Sequence, residues 1–246
     1  MMKGYLYKEW KQNRVLFLLT AVIAIEQVFL PIQMFMVDSK TISREVFLNF
    51  YVQGGALIRL LTTLFAAFCA LGAQGLLFRN DDMKAWGLFV ASNPKGIKGY
   101  ILTKYGLAFT MIMSFFVLSA GFDYIFTKIA NVIGGLGLAP RTGFLWIVTL
   151  IMILWSALEM PFVIRFGMKL GNTIKLIILI ALFILWAVLL ITNPLGIMDA
   201  VFTFFTNMEI PISAKWGLLI LSFGTFILSG WLACRMYIKG VFQYYN

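Results

Sequence analysis

Glu26, Arg59, Asp123 and Glu159 fall within apolar stretches long enough to cross a membrane and away from their cytosolic ends. A charge at the centre of a spanning helix costs about 2.5 to 3.5 kcal/mol on insertion scales, so such residues face a bundle interior or a water-filled path. Glu26, about 11 residues into the first apolar run, and Glu159, two residues before Pro161, are candidates to line a translocation path that attracts cationic cargo, with Arg59 near the outer end of the second run. Glu26 serves equally well as a structural partner to another helix or as a protonated carboxyl. Glu159 fits a supporting role at a proline kink, where a freed carbonyl needs solvation. Helix rise separates Glu26 and Arg59 by roughly 10 Å in depth, which argues against a pair. Asp123 and Arg59 read as interface anchors.

Most other chemistry is excluded by residue type. There is no histidine, and the two cysteines, Cys69 and Cys234, lie in separate apolar runs. Histidine-based metal sites, Ser-His-Asp triads and Cys-His pairs are therefore ruled out, and the thiols read as buried and inert. No paired carboxylates share a depth, and no G-x-x-x-x-G-K-[S/T] segment is present to cradle nucleotide phosphates. The expectation is a protein that is not an enzyme and holds no metal or cofactor itself. If ATP drives it, ATP and magnesium must sit on a separate chain.

The elements that must position these residues are helices in a bilayer. Of the 246 residues, 61% are hydrophobic and only 12% charged, against roughly 25% charged in soluble domains. The sequence reads as an all-α integral membrane protein forming one transmembrane domain over 1–246. Six spans are expected, at about 15–37, 50–78, 100–126, 144–164, 176–192 and 216–238, each near the 20 residues that a bilayer requires. Residues 1–14 read as an amphipathic helix at the membrane interface, with Met2, Leu6 and Trp10 at helical spacing among lysines. The small residues of ALGAQG at 70–75 suit close helix approach. A flexible outer loop is expected at 127–143, a break of the fourth span near Pro161, and a short basic loop at 165–175. Between spans five and six, residues 193–214 contain Pro194, Pro211 and an apolar block, and read as a re-entrant helix or hairpin in the outer leaflet.

Charge orients the chain. Fourteen Lys/Arg residues, including Lys3, Arg79, Lys104, Arg165 and Arg235, fall on one side of this arrangement; five, including Lys40 and Lys215, fall on the other. Cytoplasmic loops carry the Lys/Arg excess, so both termini and the 79–104 segment are expected in the cytosol. That placement absorbs the net charge of +10, and no nucleic-acid partner is needed.

The segment Arg79–Lys104 is a polar island between apolar runs, with helix grammar of its own. Asn80 or Asp81 caps the start, Asp82 complements the dipole, and Met83, Trp86, Phe89 and Val90 share one face. Pro94 ends the helix by biasing Asn93 away from helical geometry. The result is a short cytosolic helix with an apolar docking face and a basic exit.

Taken together, the basic segment MKGYLYKEWKQNR, six spans with both ends inside, and the exit ASNPKGIKGYILTKY resemble the type-two permeases of ATP-binding-cassette (ABC) exporters. Ser92, Pro94, Lys98, Lys104 and Tyr105 fit that family's segment after the coupling helix; Lys95-Gly96 departs from its common Val-Ser. The resemblance implies a dimer, with a second copy or a related permease, bound to two ABC ATPase subunits. It places Leu6, Trp10, Met83, Trp86, Phe89 and Lys95 at the ATPase contact. It implies a multi-pass protein of the bacterial cytoplasmic membrane, and the short outer loops look most like peptide and drug exporters such as the phenol-soluble-modulin group. The expected cargo is an amphipathic peptide, toxin or antimicrobial, or a drug. The alternative from a different class is an ion-coupled secondary transporter or channel that uses Glu26 or Glu159.

Overall fold

A computed structural model of the chain describes residues 7–8, 10–11, 13–24, 55–78, 96–134, 142–192 and 212–243. Among these the secondary structure is all helical. Helix α1 covers Asn13–Ala24, and residues 7–8 and 10–11 before it are helical too. Helix α2 covers Gly55–Gly75 and tightens into a 3-10 turn over Leu76–Phe78. Helices α3, α4 and α5 cover Gly96–Gly134, Thr142–Thr192 and Ile212–Gln243. Among the described residues three stretches, Gly96–Ile129, Thr142–Gly167 and Lys215–Tyr237, are long and apolar enough to cross a membrane. That is membrane-protein character. The expected first and second spans fall partly on residues outside the described ones, and the 38–49 loop, the 79–95 helix and the 193–211 part of the re-entrant segment lie outside them; the expected fifth span, 176–192, is helical within α4.

Several expected boundaries move. Residues 127–134 are helical instead of forming the start of a loop. No Pro or Gly interrupts the run until Gly134, and the Thr127 hydroxyl donates back to the Asp123 carbonyl at 2.7 Å. No break occurs at Pro161; within the expected connection 165–175, whose other residues are helical, the interruption falls six residues later, at Gly167. There the backbone adopts φ 79°, ψ 170°, a region essentially reserved for glycine. Pro161 is accommodated within the helix, because only one backbone bond is lost and a neighbour replaces it, as described below. At 51 residues, α4 would run about 76 Å if straight, far beyond a hydrocarbon core of about 30 Å. Gly167 divides it into an apolar stretch that fits a bilayer and a second helical segment. Gly96, with φ 45°, makes the corresponding turn where the chain enters α3 after Pro94.

The chain divides into two compact units. In the unit formed by 13–74 and 109–152, Ala66, Ala67, Ala70 and Ala73 of α2 are buried, as are Ile112 and Phe115 of α3 and Phe144, Val148 and Leu150 of α4. Burial of the alanine face fits the close approach expected of small residues. Phe116 of α3 meets Trp146 of α4 edge to face, centroids 5.5 Å apart. The other unit is formed by 1–12, 75–108 and 153–246. It buries Leu77, Ile101 and Ala108, Met160 and Val163 of α4, and Ala233 of α5.

Candidate functional site

The second unit contains a polar layer that begins with a missing proton. In a helix, the carbonyl of Ala157 would accept the backbone N–H of residue 161. That residue is Pro161, which has none. Across the unit, Ser229 of α5 donates its hydroxyl to Ala157 O at 2.5 Å. Ser229 Oγ lies 2.7 Å from Tyr105 Oη of α3. A serine hydroxyl has one proton, and it is already committed to a carbonyl that can only accept. Tyr105 must therefore donate to Ser229, and the chain of bonds runs from α3 through α5 to α4. Phe226 packs edge to face on the Tyr105 ring at 5.1 Å, one turn before Ser229.

Lys104 adds a charge to the same layer. Its side chain is 1% exposed, and its ammonium donates to the carbonyl of Leu77 at 2.5 Å while lying 5.7 Å from the Tyr100 ring centroid. Leu77 belongs to the turn that ends α2, where helix carbonyls lack internal donors and carry partial negative charge. A cation there completes the helix end. From α4, Glu159 approaches the same turn: a Cβ built on Gly75 would lie 3.4 Å from its Oε1. Its other oxygen accepts the Trp155 indole N–H at 3.1 Å.

These groups share one depth. Lys104 and Tyr105 lie eight and nine residues past Gly96, Glu159 and Ala157 eight and ten before Gly167, and Ser229 eight before Tyr237. At 1.5 Å per residue, the layer sits about 12 to 15 Å from those three span ends. Its described bonds run between its own side chains or to backbone carbonyls and the Trp155 indole. Such an arrangement suits fixing helices in register.

Of the residues expected at functional positions, Trp10 is helical and 55% exposed. Arg59 lies on α2. Glu159 is half-buried with the partners just described. Leu6, Glu26, Met83, Trp86, Phe89 and Lys95 lie outside the described residues. Lys104, counted among the cytosolic charges and placed near the start of the expected third span, is a buried residue of α3. Tyr105 enters the sequence analysis only through the exporter-like segment. Ser229 and Ala157 escape it altogether, although Pro161 in an apolar run already implies a freed carbonyl four residues earlier. No protein-family model, curated protein or solved structure matches the chain.

Proposed function

We propose that this chain is the transmembrane permease subunit of an ATP-driven ABC exporter. It would have six spans, act as a dimer, and couple to separate ATPase subunits that hold ATP and magnesium. The observation that carries this reading is the anchoring of the polar island. The bond from Lys104 to Leu77 ties the chain just after the 79–95 segment to the chain just before it, and the adjacent Tyr105 links that stem through Ser229 to α5 and α4. Lys104 and Tyr105 are the two residues that close the exporter-like segment. A push on the island by a motor would thus reach three helices, which is what a coupling handle must do. The exposed Trp10 is the second docking group in this reading. The cargo is an amphipathic peptide or a drug, exported across the bacterial cytoplasmic membrane with both termini cytosolic.

The test is purification of the tagged full chain from its native membrane. A P-loop ATPase with magnesium-dependent hydrolysis co-purifies, and Trp86→Ala with Phe89→Ala releases it while insertion is unchanged. Failure to recover an ATPase, or unchanged recovery with the variant, sinks the proposal. One feature favours the ion-coupled alternative: α4 is interrupted at Gly167, eight residues from Glu159, and interrupted helices flank ion sites in secondary transporters. Uptake or efflux driven by an imposed ion gradient in ATP-free vesicles, abolished by Glu159→Gln, would select it.

A further inference from the structure

Two cations stand at one edge of the second unit without a protein counter-charge among the described residues. Lys98 lies in the first turn of α3, two residues inside the apolar stretch Gly96–Ile129, and Arg235 of α5 lies two residues before the end of Lys215–Tyr237. Both are exposed. The two helix ends are held together by the Tyr100 and Tyr237 rings, centroids 5.8 Å apart. Lys98 is also near enough to Cys234, the residue preceding Arg235, to act electrostatically on its thiol. The Arg235 guanidinium is stacked 3.7 Å from the centroid of the Trp231 ring. Stacking fixes its plane and leaves its donor edge directed away from the ring. The first N–H groups of α3, at Gly96, Ile97 and Lys98, have no intrahelical acceptor and add positive potential at this edge.

The surroundings decide what anion fits. One turn deeper, Trp231 is 52% exposed, Leu232 44% and Leu102 60%, so apolar surface from both helices continues beneath the cations. A free anion would use the charges and leave that surface bare. A phospholipid uses both, its phosphate meeting the cations and an acyl chain covering Leu102 and Trp231. Cations at the boundary of a bilayer reach for phosphates, and basic sites between helix ends hold anionic head groups. We propose that Lys98 and Arg235 form a binding site for the phosphate of an anionic phospholipid, with Trp231 as its floor. The inference does not depend on the transport reading.

The full chain, reconstituted in phosphatidylcholine vesicles, is titrated with dansyl-labelled phosphatidylglycerol, with energy transfer from tryptophan as the signal. Unlabelled phosphatidylglycerol should displace the probe, whereas added phosphatidylcholine and inorganic phosphate should not. Lys98→Gln and Arg235→Gln should each weaken binding about fivefold, and together roughly 20-fold, from the known worth of one basic residue near an anionic surface. Lys128→Gln removes an exposed cation beside an aromatic ring, Tyr124, and should leave binding unchanged. Wild-type binding by the double variant, equal competition by phosphatidylcholine, or displacement by inorganic phosphate overturns the proposal. Both substituted residues are exposed, so loss of fold does not cloud the result.

Discussion

The two compact units are built from the same kind of apolar helix, and in both of them hydroxyl groups turn back to carbonyls of their own helix. In the unit of 13–74 and 109–152, the hydroxyls of Thr20, Ser114, Thr127 and Thr149 each turn back to the carbonyl four residues earlier on their own helix. In the unit of 1–12, 75–108 and 153–246, Thr103, Ser222 and Thr225 do the same, and in addition Tyr105 and Ser229 reach across to other helices and the Lys104 ammonium reaches the end of α2. This second unit also holds the exceptions to helix grammar among the described residues: Pro161, and the positive-φ glycines Gly96 and Gly167. The two facts are connected. A hydroxyl that returns to its own turn adds a second donor to a carbonyl already bonded, whereas one that meets a carbonyl freed by proline takes the place of the missing N–H. Packing between apolar helices gives little orientation in lipid, where the tails are as apolar as leucine. Polar groups that cross between helices supply it.

The largest effect should come from cutting that crossing. Ser229→Ala removes the donor to Ala157 O and the acceptor of Tyr105 at once. An orphaned buried carbonyl costs about 1 to 3 kcal/mol, and a single hydrogen bond between membrane helices averages about 0.6 kcal/mol. A loss of roughly 2 to 3 kcal/mol is expected in unfolding titrated with sodium dodecyl sulfate. The cause can be isolated, because Pro161→Ala restores the N–H that Ala157 O lacks. In the Ser229→Ala background that second substitution should recover about 1 kcal/mol or more, and more than it contributes alone. If the two changes are simply additive, Ser229 does not act through the proline-freed carbonyl.

A smaller effect is expected at Gly167. Any side chain at φ 79°, ψ 170° carries strain of about 1 to 3 kcal/mol, but alanine in a helix gains about 1 kcal/mol over glycine. Gly167→Ala should therefore either cost about 1 kcal/mol with the interruption kept, or straighten the segment into one helix. Spin labels at Leu158 and Ile177, both exposed, distinguish these outcomes: nineteen helical residues span about 28 Å when straight, so straightening moves the distance to that value. An unchanged stability with an unchanged distance would remove Gly167 from the set of positions that make this unit different.

Much of this architecture is legible in the residues. The apolar runs, their helical character and the break in the fourth run follow from hydropathy and from Pro and Gly. The location of the break did not follow, because proline is the stronger sign in sequence while the φ value that glycine alone tolerates is visible only in three dimensions. Lys104 shows a similar limit. Counting charges treats every lysine near a span end as solvated, and nothing in the string shows that the end of α2 lies within reach of this one. Its neighbour Tyr105 is singled out in the sequence only by the family-like segment. Ser229 is the instructive case. A lone serine in a span has no signature, but a proline elsewhere in the sequence announces that some hydroxyl must come to a named carbonyl, and only the arrangement of helices says which.

The smallest effect sharpens the comparison from the other side. Thr149 is 1% exposed, and its hydroxyl donates to Leu145 O at 2.7 Å within α4. Burial alone would rank it with Ser229. The difference is that residue 149 keeps its backbone N–H, so Leu145 O retains a donor when the hydroxyl is gone. Replacing Thr149 by Val changes a hydroxyl into a methyl of similar size, leaves no carbonyl orphaned, and removes a back-bond that slightly strains helices. Stability should move by less than about 0.5 kcal/mol in either direction, several-fold less than for Ser229→Ala under the same titration. A loss as large as that at Ser229 would mean that burial of a hydroxyl, and not the state of the carbonyl it meets, governs both units.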